Sequence, residues 1–289
     1  MDLISFVIAL VAFALVAPFL GGLIKGADRI ITARIQDRVG PPLLQPFYDV
    51  QKLWAKQSKP VNDFIGFYVL MSLIFAILAG AFFFAGGNFL MVVFVLTLSA
   101  LFFVLAAFSA RSPYADAGAS REIIQVAAYE PLVILMAVAF YLASHSFNIS
   151  VSATLEKPLI CEIPLIFLAL LFVLTIKLRK SPFDLSVATE AHQELVKGAI
   201  TEFSGRTLAL YEVMEWYESV LFLGWVGLFF VFSAGWSWFL ALGCVIVVYF
   251  LEIMIDNNFA RVKWQAMFKW SWLVTLVLGF INLFALYWI

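Results

Sequence analysis

The stretch FIGFYVLMSLIFAILAGAFFFAGGNFLMVVFVLTLSALFFVLAAFSA, residues 64–110, contains no Asp, Glu, Lys or Arg. It divides at Gly86-Gly87-Asn88 into two apolar runs, 64–85 and 89–110. Each has about the 20 residues a helix needs to cross the hydrocarbon of a bilayer. Similar runs recur at about 3–24, 123–144, 160–178, 211–234, 236–255 and 268–288, which gives eight candidate spans. The fourth and sixth are interrupted by acids. Hydrophobic residues make up 64% and charged residues 13%, against roughly 45–50% and 25% in soluble domains. Mean hydropathy is +1.01. No soluble core of 289 residues hides that much apolar surface. The expected fold is therefore all-α, a polytopic membrane protein in which residues 1–289 form a single membrane domain. A net charge of −1 gives no electrostatic case for nucleic acid.

Basic residues in the connecting loops set the expected orientation. Loop one holds Lys25, Arg29, Arg34, Arg38, Lys52, Lys56 and Lys59. Loop three is flanked by Arg111 and Arg121, and loop five holds Lys177, Arg179, Lys180, Lys197 and Arg206. Loop seven holds Arg261 and Lys263, whereas the even loops have just Lys157. The odd loops are thus expected in the cytoplasm and both termini outside, with the chain in the cell membrane. The start of the chain, with Asp2 and no basic residue before its apolar run, reads as a permanent span rather than a cleaved signal. Two long cytoplasmic loops follow, about 25–63 and 177–210. After Pro46, Phe47, Val50, Leu53 and Trp54 recur at helical spacing, with Asp49, Lys52 and Lys56 opposite. This pattern predicts a short amphipathic helix at the membrane surface or under a partner. Cys161 and Cys244 stand singly in apolar runs and read as buried small hydrophobes, without metal or cluster spacing.

An ionisable residue inside a span is costly, and is by default a functional candidate. Glu130 sits in AAYEPLVIL, two turns into the fourth span; Glu212, Glu215 and Glu218 open the sixth; Glu252 and Asp256 end the seventh. The expected topology puts all of them in the cytoplasmic third of the bilayer, as a funnel opening from loop five. Burial and like-charged neighbours suit such carboxylates to exchanging protons near neutral pH. The plainer reading is that each acid pairs with a basic loop residue and is structural. Loop five, SPFDLSVATEAHQELVKGAITEFSG (181–205), adds Asp184, Glu190, His192, Glu194 and Glu202. Pro182 suits a helix start and Gly205 a helix stop. His192 and Glu194 lack a second histidine for a metal site, and a solvated loop is the bland alternative.

The stretch ARIQDRVGPPLLQPFYDVQKL (33–53), the pattern Arg121–six residues–Ala-Tyr-Glu ending at Glu130, and PFDL (182–185) followed by ELVKG, EFSG and Glu215-Trp216 resemble subunit 1 of respiratory complex I. The resemblance covers the whole chain. Within that superfamily, AHQELVKG with His192 in place of an acid, SPFDLSVATEAHQE, the tight GPPLLQP loop and the short chain are most similar to the membrane subunit of Ech-type energy-converting group 4 nickel–iron hydrogenases. The resemblance implies a non-redox anchor and coupling subunit. A nickel–iron centre and iron–sulfur clusters would reside in partner subunits, and this chain would carry no cofactor. Partners would be the hydrogenase large and small subunits on the cytoplasmic side, an antiporter-like membrane subunit, and lipid. Ferredoxin would supply electrons for hydrogen evolution, coupled to proton or sodium movement. Carried over by motif, Asp184, Glu190, Glu194 and Glu202 line the junction, and Glu130 and Glu215 continue into the membrane. Glu212 and His192 complete the coupling candidates, and Arg34, Arg38 and Arg121 are candidate counter-charges. A related membrane-bound hydrogenase or formate hydrogenlyase, a quinone-site subunit 1 of a complex I-type NADH dehydrogenase, an independent proton-coupled carrier and a passive scaffold are the alternatives.

Overall fold

A computed structural model describes residues 3–59, 62–187 and 195–288. Glu190, His192 and Glu194 lie outside these residues. The chain is built of helices: α1 (Leu3–Ile35), α2 (Gln45–Ala55), α3 (Phe64–Phe84), α4 (Phe89–Ser109), α5 (Pro113–Ser144), α6 (Pro164–Lys177), α7 (Gly205–Leu228), α8 (Ser237–Asn258), α9 (Trp264–Val274) and α10 (Phe280–Trp288). A π-helical turn, Thr275–Gly279, runs α9 into α10 as one span. Six of the resulting segments are long and apolar enough to cross a membrane. The other two expected spans are α7, which carries its three glutamates, and α6, which is short.

Local chemistry explains several boundaries. The Asn88 side chain accepts from Leu90 N and Met91 N and so starts α4 after the Gly-Gly turn. Pro46 stands in the first turn of α2, where its missing N–H costs nothing. Phe47 of α2 packs on Phe19 of α1 and edge-on to Trp216 of α7. Its ring lies where a Cβ on Gly22 would be, so the surface helix is docked onto the bundle.

The loops separate into two bonded sets. Loop two joins loop four through Phe89 N to Phe147 O at 2.8 Å and Ile149 N to Gly87 O at 2.9 Å. Loop four joins loop six through Ile160 N to Phe229 O and Ser233 N to Leu155 O. At the other end Asn62 donates to Ser109 O, Ser58 to Ser204 O, Val262 N to Pro182 O, and Gln36 to Asn257. Those contacts tie loops one, three, five and seven together.

The structure departs from the sequence expectations at four points. First, α5 begins at Pro113, well before 123. Its first turns carry Asp116, Arg121 and Glu122; Ala115, Gly118, Ala119 and Glu122 are buried against the protein, whereas Asp116 is exposed. Glu130 lies midway along the longer helix α5. Second, Gly205 opens α7, with φ +51, and does not end a helix. Among the described residues of loop five the regular structure is a single 3₁₀ turn, Gly198–Ile200. Third, Phe183, Leu185, Val187, Ala199, Ile200 and Phe203 are buried, so these parts of loop five are not a solvated connector. Fourth, Cys161 is exposed, in the 3₁₀ turn before α6, and not a buried hydrophobe; Cys244 is half-buried.

The burial of loop five follows from the length of α6. Its 14 residues reach about 21 Å, short of the roughly 30 Å hydrocarbon. The chain leaves α6 inside the bundle, and irregular backbone at that depth survives when protein covers it. Gly118 of α5 supplies the cover at closest approach: a Cβ there would lie 2.1 Å from Ala199 N.

Candidate functional site

Arg179 is the second residue after α6 and has left-handed backbone, φ 53. Its position inside the bundle places the guanidinium between α5 and α7. It lies 3.4 Å from Glu122 and 3.6 Å from Glu215, with its side chain 14% exposed. The ring centroids of Phe103 and Tyr211 lie 5.0 and 5.4 Å from its Cζ, within cation–π range. Burial lowers the affinity of this guanidinium for its proton, but Glu122, Tyr211, Glu215 and Glu218 raise it further, so Arg179 stays charged.

The acids on either side extend this contact into a row. Lys25 of α1 meets Glu215 at 3.2 Å, and the Tyr211 hydroxyl donates to the other Glu215 oxygen. The Ser186 hydroxyl of loop five donates to Glu122. Gln125, one turn on, donates to Phe183 O at 2.6 Å and pins the loop. Lys177 ends α6 with Nζ 3.9 Å from the Tyr129 centroid, within electrostatic reach of Glu218, Glu122 and Glu130. Glu122, Gln125, Tyr129, Lys177, Arg179 and Glu218 line a cavity of about 10 Å³, the margin for one water. Glu130 accepts from Thr97 of α4 at 2.7 Å. The bonded row thus runs from α1 through α7 and loop five to α5, and Glu130 stands two turns further along α5, bonded to α4. Alternating carboxylates, cations and hydroxyls within a few ångströms can pass a proton or register a charge displaced at one end.

The remaining predicted residues have these places. Glu212 shares the α1–α2 side of α7 with Lys25, Arg29 and Asp49. Asp184 makes a two-point pair with Arg261 of loop seven, at 2.6 and 2.8 Å. That geometry clips loop five to loop seven. Glu202 is half-buried after the 3₁₀ turn. Arg121 donates to Leu185 O at 3.5 Å. Arg34 and Arg38 are exposed at and just past the loop-one end of α1, and Arg38 bonds Gln36. Asp49 of α2 is held by Arg29 at 2.6 Å and by Gln45. Partial burial pushes its carboxyl up, but the Arg29 and Gln45 hydrogen bonds and the charges of Arg29 and Lys52 outweigh that and hold it below the usual range.

Sequence reasoning passed over Glu122, Lys177 and Arg179 as site residues. One signal was available. Within the candidate span 160–178, the stretch free of charge between Glu162 and Lys177 is too short to span alone, and the KLRK that follows it brings cations inside the fold rather than into solvent. Among the described residues no group of acids, histidines and cysteines is arranged to hold a metal.

Comparison with known proteins gives a consistent picture. The family model described as NADH dehydrogenase matches residues 6–287. "Hydrogenase-4 component C" of Escherichia coli is 32% identical, over 98% of this chain and 95% of its own length. "Formate hydrogenlyase subunit 4" of the same organism is 30% identical, over 91% and 92%. A subunit of the NADH-quinone oxidoreductase of Anoxybacillus flavithermus is 31% identical, over 89% and 86%. A chain in the structure of the membrane-bound sulfane sulfur reductase, an archaeal respiratory membrane complex, superposes with a TM-score of 0.86. It is 24% identical, and 98% of this chain and 99% of that one are covered, which establishes a shared fold.

Proposed function

Since this chain belongs to the NADH dehydrogenase family, as its subunit 1 type, we propose that it is the membrane-anchor and coupling subunit of an ion-translocating, membrane-bound hydrogenase. It would sit in the cell membrane with the odd loops cytoplasmic and both termini outside. Two of its hydrogenase-type relatives are matched over nearly their whole length, which supports that branch. The nickel–iron centre and iron–sulfur clusters would belong to large and small subunits docked over loops one and five. Ferredoxin would be the electron donor, and an antiporter-like membrane subunit would receive the coupling signal.

The observation that carries this reading is the largely buried row Glu215–Arg179–Glu122, with half-exposed Lys25 at its end and loop five as one of its members. A charge change in a redox subunit against loop five shifts Arg179 or the Ser186 contact. That redistributes charge or protons along Glu122, Glu215, Glu218 and Glu130. Asp184 serves as the clip that fixes the loop, and Glu202 with the motif-based candidates Glu190, His192 and Glu194 would take part in the coupling.

The test replaces Glu215 or Glu130 with Gln and measures hydrogen evolution and ion transport together in vesicles. Coupling should fall while the assembled redox centre persists. Full coupled transport in both variants would sink the proposal. Weakened assembly with normal coupling per assembled complex would make the row a scaffold. The matches to quinone-reducing relatives favour a second reading, a quinone-site subunit. Co-purification of a nickel–iron large subunit decides against it.

A further inference from the structure

Lys180, the neighbour of Arg179, points away from the row into a second buried cluster. Its Nζ meets Asp28 of α1 at 2.5 Å and Asp256 of α8 at 3.2 Å, with its side chain 7% exposed. Asp256 also accepts from Ser181 N at 2.8 Å. Tyr249 of α8 faces Asp28, and its ring lies 5.9 Å from Lys180 Nζ. Glu252 stands one turn before Asp256 on α8, 1% exposed, within reach of Lys180, Asp256 and the Thr175 hydroxyl of α6. Its Oε2 is fully buried without a hydrogen-bond partner.

The charges do not balance. Asp28, Glu252 and Asp256 bring three carboxylates to one ammonium. Asp28 and Asp256 hold that ammonium directly, and Asp256 reaches solvent with 29% of its side chain exposed. Glu252 has no such compensation. A bare carboxylate buried in this way carries a heavy desolvation penalty, whereas a neutral carboxyl costs far less. The Thr175 hydroxyl lies 3.1 Å from Leu171 O and within reach of Glu252, and it can donate to a carboxylate or accept from a protonated carboxyl there.

We propose that Asp28, Glu252 and Asp256 around Lys180 form a second proton-binding site, separate from the Glu122–Arg179–Glu215 row, with Glu252 as the group that takes and releases the proton. In the loaded state Glu252 is a neutral acid donating to Thr175. In the unloaded state Lys180 shifts toward Glu252 and shares its charge among three carboxylates. Because Lys180 and Arg179 are adjacent, such a shift moves loop five. The site stands on its own geometry, whichever redox partner the chain serves.

The experiment follows the carbonyl stretch of protonated carboxyl groups by infrared difference spectroscopy of the full chain in liposomes during a pH titration. A titrating carboxyl band should vanish in Glu252→Gln and persist in the parent. In Asp256→Asn, which keeps the fold's hydrogen bond from Ser181, the midpoint should move down by about one pH unit, since a like charge one helical turn away is removed. A band unchanged by Glu252→Gln overturns the proposal, as does an Asp256→Asn midpoint that does not move. Replacing choline by sodium at fixed pH should leave the band in place. Its loss in sodium would make the ligand a metal cation and overturn the proton assignment.

Discussion

Replacing Arg179 with methionine removes one cation from between two buried acids and keeps much of the side chain's apolar stem. Taking one partner from a buried ion pair costs about 3–5 kcal/mol, because the other charge is left uncompensated. The two acids are not equally exposed to that loss. Glu215 keeps Lys25 at 3.2 Å and the Tyr211 hydroxyl, whereas Glu122 keeps the Ser186 hydroxyl. The 3.4 and 3.6 Å contacts of Arg179 are also longer than the best charge-assisted bonds. The expected loss is therefore at the low end, about 3 kcal/mol, or more than a hundredfold in the folded-to-unfolded ratio. Adding Glu122→Gln should recover about 1–2 kcal/mol, a coupling typical of directly paired residues. The exposed Arg206→Met control should stay within about 0.5 kcal/mol. The measurement is denaturant unfolding in detergent, followed by the fluorescence of the nine tryptophans. A loss under about 1 kcal/mol for Arg179→Met, the range of exposed pairs, would refute the reasoning. So would zero coupling to Glu122→Gln.

Gly118→Val should lift loop five off α5, because its Cβ alone already overlaps Ala199 N; a cost of about 1–3 kcal/mol and faster proteolysis within loop five would report it. Asp184→Asn breaks the two-point contact with Arg261 and should cost about 3 kcal/mol, the low end for a buried pair, with loops five and seven becoming protease-sensitive together. Asp49 is held below the usual carboxylate range by its Arg29 and Gln45 partners. Its contribution to docking α2 is therefore present above the ordinary carboxylate pKa and is lost as pH falls through the lowered one. Amide exchange in α2 should rise between about pH 5 and pH 2 in the parent, and the step should be absent in Asp49→Asn.

The spans were legible because hydropathy is a one-dimensional signal: α3 and α4 are read directly from residues 64–110. The surface helix α2 was legible for a related reason, since Pro46 and a helical apolar period are both local. The charged row was not. Glu122 and Arg179 are far apart in the chain and meet through the packing of α5 against loop five. In sequence, Glu122 looks like part of the polar entrance to a span. It became interior because α5 begins at Pro113 and its first turns pack against protein. Arg34 and Arg38 stand out as counter-charges by number and sign, but Lys25, Lys177, Arg179 and Lys180 are the cations placed among the acids. Sign and count say nothing about which basic residues a short helix carries inside.

The shortness of α6 also bears on how the protein is made. During synthesis each span must leave the translocation channel for lipid, and a segment of 14 residues is below the 17–25 that partition stably alone. The lysine at its end adds to the difficulty. Most of one side of α6 is covered by neighbouring protein, with Ile166, Ala169, Leu170, Val173 and Leu174 buried. Its retention in the bilayer therefore rests on α5, made before it, and on α7 and the α9–α10 span, made after it. Loop five and its cations follow α6 in the chain, so the polar centre of the protein is completed when these later spans pack onto α5 and α6.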